Sequence, residues 1–115
     1  MQYESIAAVD LGSNSFRLEV GRVVDDQIYT LDSLKESVRL ASGLQADKSL
    51  DRASQERALD ALSRFGERIR GLPPEAVRAV ATNALRVAKN ATPFLREAEA
   101  ALGFPIEIKI GRANV

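Results

Sequence analysis

The sequence predicts an α/β domain: a mixed five-stranded sheet in the order β-β-β-α-β-α-β, with helices packed on it. Three observations carry this. Stretches with strand patterning near residues 5–10, 15–24 and 28–38 follow one another with links too short to hold a helix. Two later segments repeat apolar residues at helical spacing, one after Asp51 and one after Thr92. Each is followed by a short β-rich run, Ala76–Ala81 and then Ile106–Ile110, and this alternation builds α/β units. At 115 residues the chain fits one domain with a modest core.

The elements follow in order. Strand one, roughly Ser5–Asp10, carries the run Ile6-Ala7-Ala8-Val9. It is apolar on both faces, as a central strand is. Strand two, Ser15–Val24, alternates Phe16, Leu18 and Val20 with Arg17 and Glu19. Asp25-Asp26-Gln27 is a turn signal without the usual glycine. Strand three starts near Ile28 and runs toward Val38. Lys35 and Arg39 read first as a solvated strand end, since exposed Lys and Arg are the surface norm; steering of a polyanion is the second reading. Asp51 is an N-cap, and Ala58, Leu59, Leu62, Phe65 and Ile69 form one helical face. Gly71 is a natural C′ residue before Leu72-Pro73-Pro74. Thr92 as N-cap with Pro93 at the first helical position starts the last helix. Its buried stripe is Phe94, Leu95, Ala98, Ala101 and Leu102, and Gly103 closes it. No internal repeat or low-complexity tract is found.

Composition excludes several chemistries. Lys+Arg and Asp+Glu are both 16, so no global field draws the chain to a nucleic acid polymer or an anionic membrane, and any anion site is local. There is no Cys and no His, which rules out disulfides, a thiolate nucleophile, a Ser-His-Asp triad and a phosphohistidine within this chain. Met1–Ser5 lacks the basic start and apolar core of a signal peptide, and no apolar run is long enough to span a bilayer. A cytoplasmic protein is the expectation.

The chemistry concentrates in Asp10-Leu11-Gly12-Ser13-Asn14-Ser15, between strands one and two. Gly12 lacks a Cβ, so the loop can take positive φ and bring its backbone close to a ligand. Ser13, Asn14 and Ser15 add side-chain donors to backbone N–H groups, a set suited to phosphate. Asp10 would repel phosphate directly but can hold a hydrated Mg²⁺ that neutralises it. The same six residues also suit an ordinary hairpin turn in which Asp caps the loop. Thr82 and Arg86, just past strand four, stand where open α/β sheets place ligands. Thr82 could donate to a phosphate oxygen and Arg86 could fork onto the same anion. An N-capping Thr and a surface Arg are the competing reading.

Residues Ala7–Arg17 closely resemble the opening motif of the exopolyphosphatase / guanosine pentaphosphate phosphohydrolase family. Val38–Leu44, Ala81–Ala91 and Leu102–Ile108 resemble later stretches of that family, in the same order, so the likeness covers nearly the whole chain. It implies the ribonuclease H-like lobe of the actin-like ATPase superfamily, in which the first hairpin is a phosphate loop. It also implies release of terminal phosphate from inorganic polyphosphate, or hydrolysis of guanosine pentaphosphate, with Mg²⁺ as cofactor. On this resemblance Asp10 holds the metal. Gly12, Ser13, Asn14 and Ser15 cradle phosphate, and Arg17, Thr82 and Arg86 neutralise charge.

Two departures from the family pattern bear on activity. Family members continue into a second lobe with a second phosphate loop, and the site lies between the lobes. This chain, a single N-terminal lobe over residues 1–115, is expected to be inactive alone and to use the second lobe as its partner, or to self-associate through the exposed face. The family also has two consecutive Glu after a Gly-Arg-like pair, the second taken as the base. Here Ala113 and Asn114 stand at those positions, and Asn has no basic carboxylate. A non-catalytic polyphosphate or guanosine polyphosphate binding module is therefore an alternative. A sugar or acetate kinase lobe is a further one. A ribonuclease H is weaker, because strand four ends in Ala81-Thr82 with no carboxylate for a two-metal site.

Overall fold

The structure, a computed structural model, describes residues 4–81, Leu85 and residues 88–108. The strands are β1 (Ser5–Leu11), β2 (Ser15–Val24), β3 (Gln27–Ser37), β4 (Val77–Ala81) and β5 (Glu107–Ile108). The helices are α1 (Arg52–Ile69) and α2 (Ala91–Leu102). The sheet order is β3-β2-β1-β4-β5, with β1–β2 and β2–β3 antiparallel and β1–β4 and β4–β5 parallel. The predicted element order and mixed sheet are both observed, and β1 is the central strand. The last two residues of the predicted fifth strand, 109–110, lie outside the described residues. No helix of the described residues is long and apolar enough to cross a membrane.

Alternation along the strands selects the core. Ala7, Val9 and Leu11 of β1, Phe16 and Leu18 of β2, and Ala79 and Ala81 of β4 are buried with the apolar stripes of both helices. The intervening residues Ala8, Asp10, Arg17, Glu19 and Arg78 are exposed. Central position therefore does not bring burial on both faces of β1: among the described residues, nothing covers the second face.

Asp25 and Asp26 both adopt left-handed φ, 52° and 65°. They form a two-residue turn whose twist matches the flanking strands, with aspartate tolerated where glycine is usual. A bulge between Val20 and Gly21 shifts the β2–β3 register by one residue.

The helix ends confirm three expectations and correct one. Asp51 caps α1, its Oδ1 accepting the Ser54 N–H at 2.8 Å. Gly103 closes α2 in the left-handed conformation at φ 91°, its N–H donating to the Glu99 carbonyl at 2.8 Å. Gly71 follows the Arg70 cap as the C′ residue, without a left-handed φ, and α1 ends with a tight bond from the Leu72 N–H to the Ile69 carbonyl. Thr92 is not the cap of α2. The helix starts two residues earlier, at Ala91, with Asn90 at the cap position but without a side-chain capping bond. The Asn90 amide instead clamps Leu50, accepting its N–H at 2.9 Å and donating to its carbonyl at 3.1 Å. That clamp ties the loop before α1 to the start of α2.

Helix α1 also meets the helix-side face of β3 through ion pairs. Arg64 forks onto Glu36, and Arg68 pairs with Asp32. The Arg64 hydrogen bonds and charge hold the Glu36 carboxyl below its ordinary value. A carboxyl depressed on folding contributes stability above its unfolded pKa and loses it as pH falls through the folded pKa. Both groups are substantially solvent-exposed, so screening limits the pair to about 1 kcal/mol or less. Thermal melts across the acid range are expected to show Glu36→Gln losing this part of the stability at neutral pH and converging on the parent at low pH. Parallel curves at every pH would contradict the assignment.

Candidate functional site

The β1–β2 connection is a three-residue loop, Gly12-Ser13-Asn14, at the end of the central strand. The Gly12 N–H donates to the Ser15 carbonyl at 3.0 Å and closes the bend. Gly12 is needed there for space rather than for positive φ, correcting the sequence expectation. A Cβ on Gly12 would sit 2.9 Å from the Ser15 carbonyl oxygen.

The loop is anchored from behind. The Asn14 carbonyl accepts the N–H groups of Val38 at 2.9 Å and Arg39 at 2.7 Å. The Val38 carbonyl in turn accepts from Arg57 Nε of α1 at 3.1 Å. Helix, strand exit and loop are thus linked by successive hydrogen bonds. Asn14 is exposed, and Ser13 is half-buried. Among the described residues, the N–H groups and side chains of Ser13 and Asn14 meet no hydrogen-bond partner. Donors left open at a bend fixed from behind are what an oxyanion site requires.

Asp10 is exposed on the uncovered face, one residue before the end of β1. Its register partners are Arg17 on β2 and Val80 on β4, and Arg17 faces Lys35 on β3. Asp10, Arg17 and Lys35 therefore form a row across β1, β2 and β3, with both cations on one side of the carboxylate. Among the described residues, neither Asp10 nor Arg17 enters an ion pair, so both remain available to a ligand. No group of three or more acidic, His or Cys side chains that could cage a metal occurs among the described residues. A lone exposed carboxylate beside these open donors is of a type that would fit a hydrated Mg²⁺.

Strand β4 ends at Ala81, in register with Leu11, so its C-terminal end lies beside the loop. Thr82 and Arg86 follow it in sequence and lie outside the described residues, as do Ala113 and Asn114. The structure therefore brings Asp10, Gly12, Ser13, Asn14, Ser15 and Arg17 together at one end of β1. A cleft of about 400 Å³ lies elsewhere. It lies on the sheet face around Ile6, Ala8, Gly21 and Ile28, toward the other end of β1, and its mostly apolar lining with two carboxylates, Glu19 and Glu75, against one cation, Arg78, does not suit phosphate.

The model of the Ppx/GppA phosphatase family matches residues 19–113. The chain belongs to the Ppx/GppA phosphatase family. It is 44% identical over 105 residues to the guanosine-5'-triphosphate,3'-diphosphate pyrophosphatase of Vibrio vulnificus, covering 91% of this chain and 21% of that protein. The Ppx/GppA enzyme of Aquifex aeolicus is similar at 28% identity and a TM-score of 0.82, over 91% of this chain and 35% of the other. An exopolyphosphatase from Cytophaga hutchinsonii matches at 26% identity and a TM-score of 0.82, over 90% and 33%. The chain thus spans about a fifth of the length of this curated family relative. Ethanolamine utilization protein EutJ of Carboxydothermus hydrogenoformans shares the fold alone, at 13% identity and a TM-score of 0.54. The mixed five-stranded sheet with helices packed on it, which the family resemblance implied, is thus the fold of these Ppx/GppA structures.

Local sequence patterns missed two contributors to this architecture. The clamp made by Asn90 has no local signal, because its partner Leu50 is distant in sequence. The bond from Arg57 to the Val38 carbonyl likewise has no local signature.

Proposed function

We propose that this chain is the N-terminal lobe of an exopolyphosphatase-type hydrolase. Its reaction is release of the terminal phosphate of inorganic polyphosphate or guanosine pentaphosphate, assisted by Mg²⁺. The observation that carries this reading is the open Gly12–Asn14 bend beside Asp10, which enters no ion pair among the described residues, in a member of a phosphatase family. In the reaction, water adds to the terminal phosphorus and loses a proton to a base. The bridging P–O bond breaks, and its electron pair leaves with the shortened chain. The Ser13 and Asn14 donors would hold the terminal phosphoryl oxygens, and Arg17 would offset their charge. Asp10 would hold Mg²⁺, whose chemistry when bound is neutralisation and polarisation of phosphoryl oxygens.

Ala113 and Asn114 supply no carboxylate base. We therefore propose that the isolated lobe binds its substrate and is inactive, the second lobe completing the site. The same substitution favours a second reading, a binding module that does not hydrolyse its ligand. Phosphate release from long-chain polyphosphate with Mg²⁺, for this chain and for a form extended through a second lobe, tests the proposal. Turnover by the extended form alone is expected. Turnover by the short chain would overturn the half-site argument, and release by neither, with binding retained, would favour the binding module.

The uncovered sheet face is the surface through which a lone lobe would self-associate. Size-exclusion chromatography with light scattering is expected to show concentration-dependent dimers. A clean monomer at high concentration would contradict this.

A further inference from the structure

We propose that a pocket beside the hairpin loop, built around Arg39 and Arg57, is a second oxyanion subsite. It would take a further phosphoryl group of a polyphosphorylated chain whose end sits at Gly12–Ser15. This rests on the phosphate-loop reading above and extends it from one phosphoryl group to a chain.

The pocket has a volume of about 230 Å³ and is lined by Ser37, Arg39, Ser42 and Arg57. Two guanidinium groups and two hydroxyls line it, with no carboxylate among them. It adjoins the loop directly: Ser37 is the register partner of Ser15, and the Arg39 N–H donates to the Asn14 carbonyl. A chain leaving the loop toward β3 would meet this pocket next.

The charge at this pocket is unusual for α1. Arg52, Arg64 and Arg68 each hold a carboxylate, on Glu56 and Glu97, on Glu36 and on Asp32 respectively. Arg57 spends its hydrogen bonds on neutral oxygens instead, the Val38 carbonyl and the Ser54 hydroxyl at 2.9 Å. Asp51 feels the Arg57 charge, but its side chain is committed to capping Ser54. Among the described residues, neither Arg39 nor Arg57 enters an ion pair. In a chain of zero net charge, two adjacent unpaired guanidinium groups form a local anion trap.

The backbone of Arg39 gives a second, independent indication. It is left-handed, φ 52°, which is costly for a long side chain. Hydrogen bonds fix it on both sides: its N–H donates to Asn14, and its carbonyl accepts the Ser42 hydroxyl at 2.8 Å. Glycine or asparagine would hold that conformation more easily, so backbone geometry does not account for an arginine there. An anion ligand for its side chain does.

Calorimetric titration with Mg²⁺ tests this, using orthophosphate, tripolyphosphate and long-chain polyphosphate as probes against the parent chain and Arg39→Asn. Asn keeps the left-handed backbone and removes the charge. The variant is expected to melt with the parent, to bind long-chain polyphosphate about tenfold more weakly and to bind orthophosphate unchanged. Arg39→Lys should recover part of the loss. Should Arg39→Asn melt early, Arg39→Gly replaces it in the same comparison, since glycine carries no left-handed cost. Unchanged long-chain binding would overturn the subsite and leave the loop reading standing. Equal losses for orthophosphate and long chains would make Arg39 part of the loop site and overturn a separate one. Failure of the parent to bind any probe would overturn the loop reading, and the subsite with it.

Discussion

Replacing Gly66 with alanine is expected to destabilise the chain by about 2–3 kcal/mol, lowering the thermal midpoint by roughly 10–15 °C. The sign is the informative part. In an exposed helix interior, glycine to alanine stabilises by about 1 kcal/mol, because alanine loses less backbone entropy. Gly66 lies where α1 crosses the C-terminal end of α2. A Cβ there would stand 2.5 Å from the Leu102 carbonyl oxygen and 3.1 Å from that of Ala101. Both obstacles are backbone, so relief requires the helices to part. Gly71 is the control, since a Cβ at that position meets nothing within 4 Å and its φ is not left-handed. Gly71→Ala should be neutral or stabilising in the same melts. A rise in midpoint for Gly66→Ala matching that of Gly71→Ala would refute the close helix crossing.

Asp10→Asn is expected to remove the Mg²⁺-dependent part of polyphosphate binding, a weakening of about tenfold or more with the cation present. Without Mg²⁺ the order should reverse. The parent then presents an uncompensated carboxylate to a polyanion, and the variant does not. Titrations with Mg²⁺ and with a chelator read both halves of this prediction. The substitution is nearly isosteric and falls on an exposed side chain with no ion pair among the described residues, so folding should be unaffected. An unchanged Mg²⁺ dependence would show that Asp10 does not hold the cation, whatever else binds phosphate.

Much of the fold was legible because its determinants are local. Alternation along β2 and the stripe on α1 each report burial directly, and Asp51 caps α1 by bonding a residue three positions on. What escaped was set by distant contacts. Thr92-Pro93 has the pattern of a helix start, yet α2 begins before it. A proline in the first helical turn has no N–H to lose, and the Asn90 side chain is drawn away to Leu50. Gly71 and Gly103 look alike in sequence, each following a helix. They differ because the chain after α1 closes through Leu72, whereas Gly103 bonds back to Glu99 itself.

The site followed the same division. The loop residues were recognisable by type and order, but the reason for Gly12 was not. It depends on the approach of the Ser15 carbonyl, a feature of how the bend closes rather than of the glycine. The bonds from Val38 and Arg39 to the loop join segments more than twenty residues apart, and no periodicity reports them. Arg39 itself read as a surface cation until the structure set it beside Arg57.

Backbone amide shifts recorded by NMR during titration with tripolyphosphate and Mg²⁺ test the central claim most directly. The largest changes are predicted at Gly12, Ser13, Asn14 and Ser15, with Asp10 and Arg17 next, and saturation should weaken when Mg²⁺ is withdrawn. Changes centred on Ile6, Ala8 and Ile28 in the sheet-face cleft, with the hairpin loop unmoved, would contradict it.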